Sequence, residues 1–370
     1  MENTIIVAGA AATGVAYGPG NPLIIAELGT AHNGDLSRAK EMAAAAAEAG
    51  AVCVKLQMVF ADEILHPNTG EVALPGGKIR LYDRFRQLEM PPEFYAEVKE
   101  YVESRGLLFL CTPFGLKSTR MLRTLRPKIV KIASPELNFT ALLREVATWG
   151  LPVLLSTGVS TLGDIEEAVG ILGNCTLLHC VTAYPAPETD YNLRVLRSLA
   201  TVFGATVGAS DHSLDPELVP ALAISQGAAV IEKHFCLSRD DPGLDDPIAL
   251  PPALFARMTT AIRQAAALGP DETIAALSRE RGAAVVEAVL GSGVKTLAPS
   301  EKENYTRTNR SIHALRDIEP GETITEKDFA VLRTEKILRP GLAPSWVAAL
   351  CGRTARQFIP AGEGIRFEDV

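Results

Sequence analysis

Between residues 23 and 268 one pattern returns eight times: a short apolar run, then a longer stretch with helical spacing. The runs are LIIAE (23–27), AVCVKLQ (51–57), LLFLCT (107–112), IVKIAS (129–134), PVLLST (152–157), CTLLHC (175–180), ATVGAS (205–210) and AAVIEKH (228–234). The stretches between them, such as 36–49, 91–105, 140–149 and 214–226, are Ala-rich or amphipathic. Eight strand–helix pairs within about 250 residues predict an α/β chain closed into a (β/α)8 TIM barrel. An open doubly wound sheet competes, but no strand–GxGxxG–helix unit is present; Gly9 and Gly14 do not supply its spacing.

Beyond the barrel the pattern changes. IEPGETITEKDF (318–329) recurs as IPAGEGIRFEDV (359–370), in the form I-x-x-G-E-x-I-x-x-x-D-apolar. Two copies of a strand–turn–strand signature predict a small β-rich domain with internal two-fold pseudo-symmetry. The expected division is 1–268 for the barrel, 269–307 for a linker and 308–370 for the small domain. Within the linker, 272–289 has helical spacing and Gly291 to Gly293 breaks it.

The net charge of −8 argues against a nucleic-acid partner and requires a local cluster of Lys, Ser and backbone N–H groups to hold any anionic substrate. Six cysteines lie scattered without a CxxC pair, several inside apolar runs, the usage of reduced core thiols in a cytoplasmic protein. The apolar stretch 5–16 has no Lys or Arg before it and is too short to cross a bilayer, so no membrane association is expected.

In a barrel of this kind reactive groups come from the C-terminal ends of strands. Here nearly every run ends in a polar residue: Glu27, Lys55 with Gln57, Thr112, Lys131 with Ser134, Ser156 with Thr157, Ser210 with His212, and Glu232 with His234, while Tyr184 follows the sixth run. Any one of these is more often a cap or a solvated group than a functional one. Together they mean two lysines and several hydroxyls in one barrel mouth, a costly burial unless a charged ligand offsets it. Such a set suits a ligand carrying a phosphate and a carboxylate. His212 and His234 can share one divalent ion, Mn²⁺ first, with Mg²⁺, Co²⁺ or Zn²⁺ as alternatives, leaving positions open for a substrate oxygen. Three further features weigh less. His32, Asn33 and Gly34 read equally well as a structural turn, and His179 reads as core. The segment 61–86, with His66 and PGG at 75–77, is either a lid or a long surface loop.

These residues resemble the N-acetylneuraminate (sialic acid) synthase family with its legionaminate, pseudaminate and spore-coat-polysaccharide relatives. The matching strings are IIAELGTAHNGDL (24–36), VKLQ (54–57), CTPF (111–114), KIASPE (131–136), STG (156–158), LLHCVTAYPAP (177–187), GASDHS (208–213) and VIEKHF (230–235). NRSIHALRDIEPGE (309–322) resembles the start of the family's C-terminal SAF (antifreeze-like) domain. The resemblance implies a transferase that joins phosphoenolpyruvate to an N-acylated, mannosamine-like aldehyde, giving a nonulosonic acid and phosphate. It implies phosphoenolpyruvate on Lys55, Thr112, Lys131, Ser134, Ser156 and Ser210, and a metal on His212 and His234. Glu27 would orient or deprotonate water or a sugar hydroxyl, and Gln57, Tyr184 and Asp245 would hold the sugar. It further implies a domain-swapped homodimer in which Arg310 reaches the neighbouring site. Departures fall at Pro135, Ala31, Thr182, GLDD (243–246) and LRPGLAP (338–344). They spare both lysines and both histidines and leave the sugar open, including a 2,4-diamino or a phosphorylated one. A Schiff-base aldolase using Lys131 and a non-catalytic sugar-binding protein are the rival classes.

Overall fold

The structure, a computed structural model, describes residues 4–8, 14–74, 77–335 and 337–370. Eight parallel strands stand where the eight runs predict them: β1 (Leu23–Gly29), β2 (Cys53–Met58), β3 (Leu108–Pro113), β4 (Val130–Ile132), β5 (Val153–Ser156), β6 (Thr176–Cys180), β7 (Val207–Asp211) and β8 (Val230–His234). Ladders connect them in the order β3-β2-β1-β8-β7-β6-β5-β4. Because β8 pairs with β1, placing His234 opposite Glu27, the sheet curls into a barrel. β3 and β4 pack side by side at the seam, with no ladder between them among the described residues.

Each strand is followed by a helix: α1 (Leu36–Glu48), α2 (Pro92–Ser104), α3 (Leu116–Thr124), α4 (Thr140–Ala147), α5 (Leu162–Leu172), α6 (Val195–Phe203), α7 (Leu218–Ser225) and α8 (Pro252–Leu268). In α1, Ala39, Met42, Ala43 and Ala46 form the i, i+3, i+4, i+7 stripe buried against the strands. α7 begins later than its spacing predicts. Asp215 Oδ1 accepts from Glu217 and Leu218 N–H at 2.8 and 2.9 Å, so the residues before it form a cap. The helical 272–289 segment is two helices, α9 (Pro270–Arg281) and α10 (Ala283–Leu290), parted at Gly282, whose φ is 94°. Segment 61–86 folds as two short helices, Ala61–Ile64 and Leu81–Gln87, with a hairpin of Glu71–Leu74 and Gly77–Arg80. Residues 75–76 of its PGG lie outside the described residues. No helix among them is long and apolar enough to cross a membrane.

Period-two alternation sorts the barrel interior into layers. Leu23, Ile25, Cys53, Leu110, Ile129, Leu154, Leu178 and Val230 form an apolar floor, closed from below by Ile5, Val7 and Tyr17 of a hairpin, Ile5–Ala8 with Gly14–Tyr17. Two residues further along each strand the same inward positions carry Glu27, Lys55, Thr112, Lys131, Ser156, Cys180 and Glu232. Gly208 stands at the floor level of β7, where a Cβ would lie 2.6 Å from Val230 O and 2.7 Å from Leu178 Cδ2. Gly208→Ala should therefore destabilise the barrel by about 1–3 kcal/mol in urea unfolding. Unchanged stability would mean that this layer is looser than described.

The tail is built as its repeat predicts. Equivalent residues of the two copies pair across the pseudo-two-fold: Ile318 N–H donates to Ile359 O, and Ile359 N–H to Ile318 O, each at 3.0 Å. Asp328 accepts from Thr325 N–H at 2.8 Å, and its counterpart Asp369 from Arg366 N–H at 2.7 Å. β9 (Ser311–Ala314) and β10 (Phe329–Leu332) complete a small core around Ile312, Ile318, Ile324, Ile359 and Ile365.

Candidate active site

At the barrel mouth Glu232 is the hub of a buried charge cluster. Its carboxylate accepts from Lys55 Nζ at 3.0 Å, from Lys131 Nζ at 2.7 and 2.9 Å, and from Ser210 Oγ at 3.1 Å. Burial alone would raise its pKa, yet Lys131 and Lys55 hold it well below the usual carboxylate range. For Lys55, burial is outweighed by Glu232 and Glu27, which raise it. For Lys131 burial prevails and lowers it, in spite of Glu232. The strand-end pattern names Glu232 beside His234 but assigns it no role. The signal was its spacing two before His234 in the EKH string, which turns both residues into one mouth.

Glu27, opposite His234 and Lys55 in the ladders, lies 3.2 Å from Lys55 Nζ and accepts from Gln57 Nε2 at 2.7 Å. Burial pushes it up to about 7 against the pull of Lys55, with Glu232 adding to the rise. Gln57 and Asp245 converge near it: a Cβ at Gly29, whose φ is 53°, would sit 3.3 Å from Gln57 Nε2 and 3.4 Å from Asp245 Oδ2. Thr112 Oγ1 and Ser156 Oγ are buried without a hydrogen-bond partner among the described residues, although nearly all such atoms in folded proteins have one. Ser134 opens a 3-10 turn, Ser134–Glu136, that cuts β4 short of its apolar run, and its Oγ accepts from Gly158 N–H at 3.0 Å.

His212 and His234 face each other across β7 and β8, ring centroids 5.6 Å apart and planes at 48°. His212 Nδ1 hydrogen-bonds Val181 O at 2.8 Å, which assigns a proton to Nδ1, and its Nε2 lies 3.3 Å from Tyr184 Oη. The Tyr184 ring stacks on His212 at 4.3 Å. Burial, then the neighbouring His212 and Lys55, keep His234 well below its usual pKa and so neutral near pH 7. His234 Nδ1 lies 3.8 Å from Asp245 Oδ2. Among the described residues no group of three or more His, Cys, Asp or Glu gathers in a metal-holding arrangement. These two imidazoles are the side chains that could hold a single ion, with its other positions left to water or substrate.

Arg310 precedes β9 at the start of the tail. It is fully buried in its own chain: Nε and Nη2 bond Glu136 Oε1 at 3.1 and 2.9 Å, and its remaining N–H groups go to the carbonyls of Glu63, Val331 and Phe114. The four other histidines make local contacts: His32 Nδ1 accepts from Gly34 N–H at 3.0 Å, His66 Nδ1 from Asn68 N–H at 3.1 Å, His179 is buried against Tyr191 O, and His313 Nδ1 donates to Gly362 O at 2.8 Å.

A nearly closed parallel barrel with a lysine–carboxylate hub and paired imidazoles in its mouth, followed by a β-rich tail, is a barrel enzyme of the synthase type. The chain belongs to the NeuB family: residues 42–272 match that family and residues 309–370 match the SAF domain. It is 36% identical to the spore coat polysaccharide biosynthesis protein SpsE of Bacillus subtilis, over 94% of this chain and 93% of that one. It is 33% identical to an N,N'-diacetyllegionaminic acid synthase of Campylobacter jejuni, over 84% of this chain and 90% of that one. The crystal structure of the B. subtilis SpsE superposes with a TM-score of 0.81, covering 99% of both chains at 34% identity.

Proposed function

We propose that the enzyme condenses phosphoenolpyruvate with the open-chain aldehyde of an N-acylated, mannosamine-like amino sugar and water, giving a sialic-acid-type nonulosonic acid and phosphate. The observation that carries this is the pair of buried lysines beside orphaned hydroxyls, set next to two imidazoles. Relatives named as legionaminic and pseudaminic acid synthases support it.

Lys55 and Lys131 hold the phosphate and carboxylate, with Thr112, Ser134, Ser156 and Ser210 supplying hydroxyl donors. Gln57, Tyr184 and Asp245 orient the sugar so that C3 of the enol faces its aldehyde carbon. The enol pair forms the new C–C bond as the aldehyde π pair moves onto its oxygen. Water adds at C2 as Glu27 takes its proton and passes it to that oxygen, and the C2 hydroxyl then loses its proton to become the ketone as phosphate leaves by C–O cleavage. His212 and His234 would hold a divalent ion, Mn²⁺ before Mg²⁺ or Co²⁺, whose charge would polarise the acceptor aldehyde. This reading places the enzyme in the cytoplasm as a domain-swapped homodimer.

With Glu27 as base, kcat/KM falls as pH drops below about 7. Its folded pKa lies above the unfolded 4.5, so its ionisation removes stability as pH rises from 4.5 through 7. Glu27→Gln should thus be nearly inactive, match wild type in stability at pH 4 and exceed it at pH 8. A pH–rate profile flat down to pH 5 would exclude Glu27 as the base.

One observation favours a second reading: burial lowers the Lys131 pKa, as a Schiff-base lysine requires. Its charge-assisted bonds to Glu232 oppose that role by holding the proton. Phosphate release is followed with phosphoenolpyruvate, Mn²⁺ and a panel of N-acetylmannosamine, a 2,4-diacetamido sugar and a phosphorylated mannosamine. Acceptor-dependent release, greatest with N-acetylmannosamine, is the expected result. A borohydride-trapped pyruvate adduct on Lys131 would replace this reading with the aldolase one.

A further inference from the structure

We propose that Glu301 and Asn304, in the segment joining the barrel to the SAF domain, are positioning residues for His212; the inference rests on the metal role given to that histidine above. Glu301 is 1% exposed, and its carboxylate is spent on backbone: Oε2 accepts from Thr182 N–H at 2.9 Å and Oε1 from Ala298 N–H at 3.4 Å. Asn304 Nδ2 donates to Thr182 O at 2.8 Å. Both backbone polar groups of Thr182 are therefore gripped by one segment more than a hundred residues downstream. Burying a carboxylate is costly, and a connection needing only length and polarity has no use for one.

The position of Thr182 gives the clamp its effect. β6 ends at Cys180, so no ladder fixes the residues beyond it. Val181, next in the chain, presents the carbonyl that accepts from His212 Nδ1, and Tyr184 stacks on the same ring. Fixing the Thr182 peptide fixes the Val181 carbonyl, and that carbonyl sets both the tautomer and the rotation of His212. Partners of this kind, one step removed from the ion, typically change metal affinity by roughly 10–100-fold when removed. The phosphoenolpyruvate lysines sit on β2 and β4 rather than on β6, and of the pocket hydroxyls Ser134 Oγ is the one near this loop, since a Cβ at Gly158 would meet both it and Thr182 Oγ1.

Calorimetry on the full chain separates a positioning role from a structural one, with Mn²⁺ alone and phosphoenolpyruvate alone as titrants. Glu301→Ala should weaken Mn²⁺ binding roughly tenfold or more and leave phosphoenolpyruvate binding within about twofold. Glu301→Gln keeps an accepting oxygen and should restore Mn²⁺ binding. Should Glu301→Ala fail to fold, Asn304→Ala, which frees only the Thr182 carbonyl, carries the same comparison. Unchanged Mn²⁺ binding, or equal losses for both titrants together with a lowered Tm, would overturn the proposal. His212→Ala run alongside tests the underlying reading separately: if it binds Mn²⁺ like wild type, the metal site itself is wrong.

Discussion

His234→Ala should lower kcat/KM by roughly a thousandfold or more, about 4 kcal/mol of transition-state stabilisation, while the protein folds normally. The two halves of this expectation come from different observations. The activity loss follows from halving the protein's share of a two-imidazole ligand set, since no third His, Cys, Asp or Glu joins it among the described residues. Normal folding follows because the ring has no close partner to strand, Asp245 Oδ2 being 3.8 Å away. Turnover is measured as phosphate release and folding by thermal unfolding. An active variant would remove the imidazole pair from the chemistry, and an unfolded one would show that the ring serves the barrel.

Lys131→Met should be damaging in a different way. The substitution keeps the side chain's length and deletes its charge, leaving Glu232 with Lys55 and Ser210. Breaking a buried ion pair from one side costs up to about 3–5 kcal/mol, because the surviving charge stays buried. Glu232 sits well below its unfolded pKa of 4.5, so its stabilisation is present above that pH and is lost as pH falls. The deficit of the variant should therefore be largest near neutrality and shrink below about pH 4. Pairing it with Glu232→Leu should recover much of the stability and none of the activity. A single variant as stable as wild type at pH 7 would mean that the amine lies outside the hub.

The barrel was legible because its strands are short, its floor is apolar, and period-two alternation leaves only the last inward positions polar. That logic brought Lys55, Thr112, Lys131, Ser156 and Ser210 into one mouth from sequence alone. It could not reveal that Glu232 binds both lysines, since contacts across the lumen depend on barrel closure rather than on local spacing. Arg310 shows the opposite limit: a resemblance carried its type and position, while its partner, Glu136, lies 174 residues away in another loop. The clamp on Thr182 was hidden for the same reason. The tail repeat was legible because its isoleucines, glycines and aspartates each recur at the place where the two-fold needs them.

The account turns on one ion shared by His212 and His234 beside the pocket built from Lys55 and Lys131. Crystals grown with Mn²⁺ and phosphoenolpyruvate, recorded at the manganese absorption edge, test this most directly. A single anomalous peak bonded to both imidazole rings, with the enol phosphate against the two amines, is the predicted result. A peak bonded to neither ring, or phosphoenolpyruvate lodged away from the lysines, would contradict it.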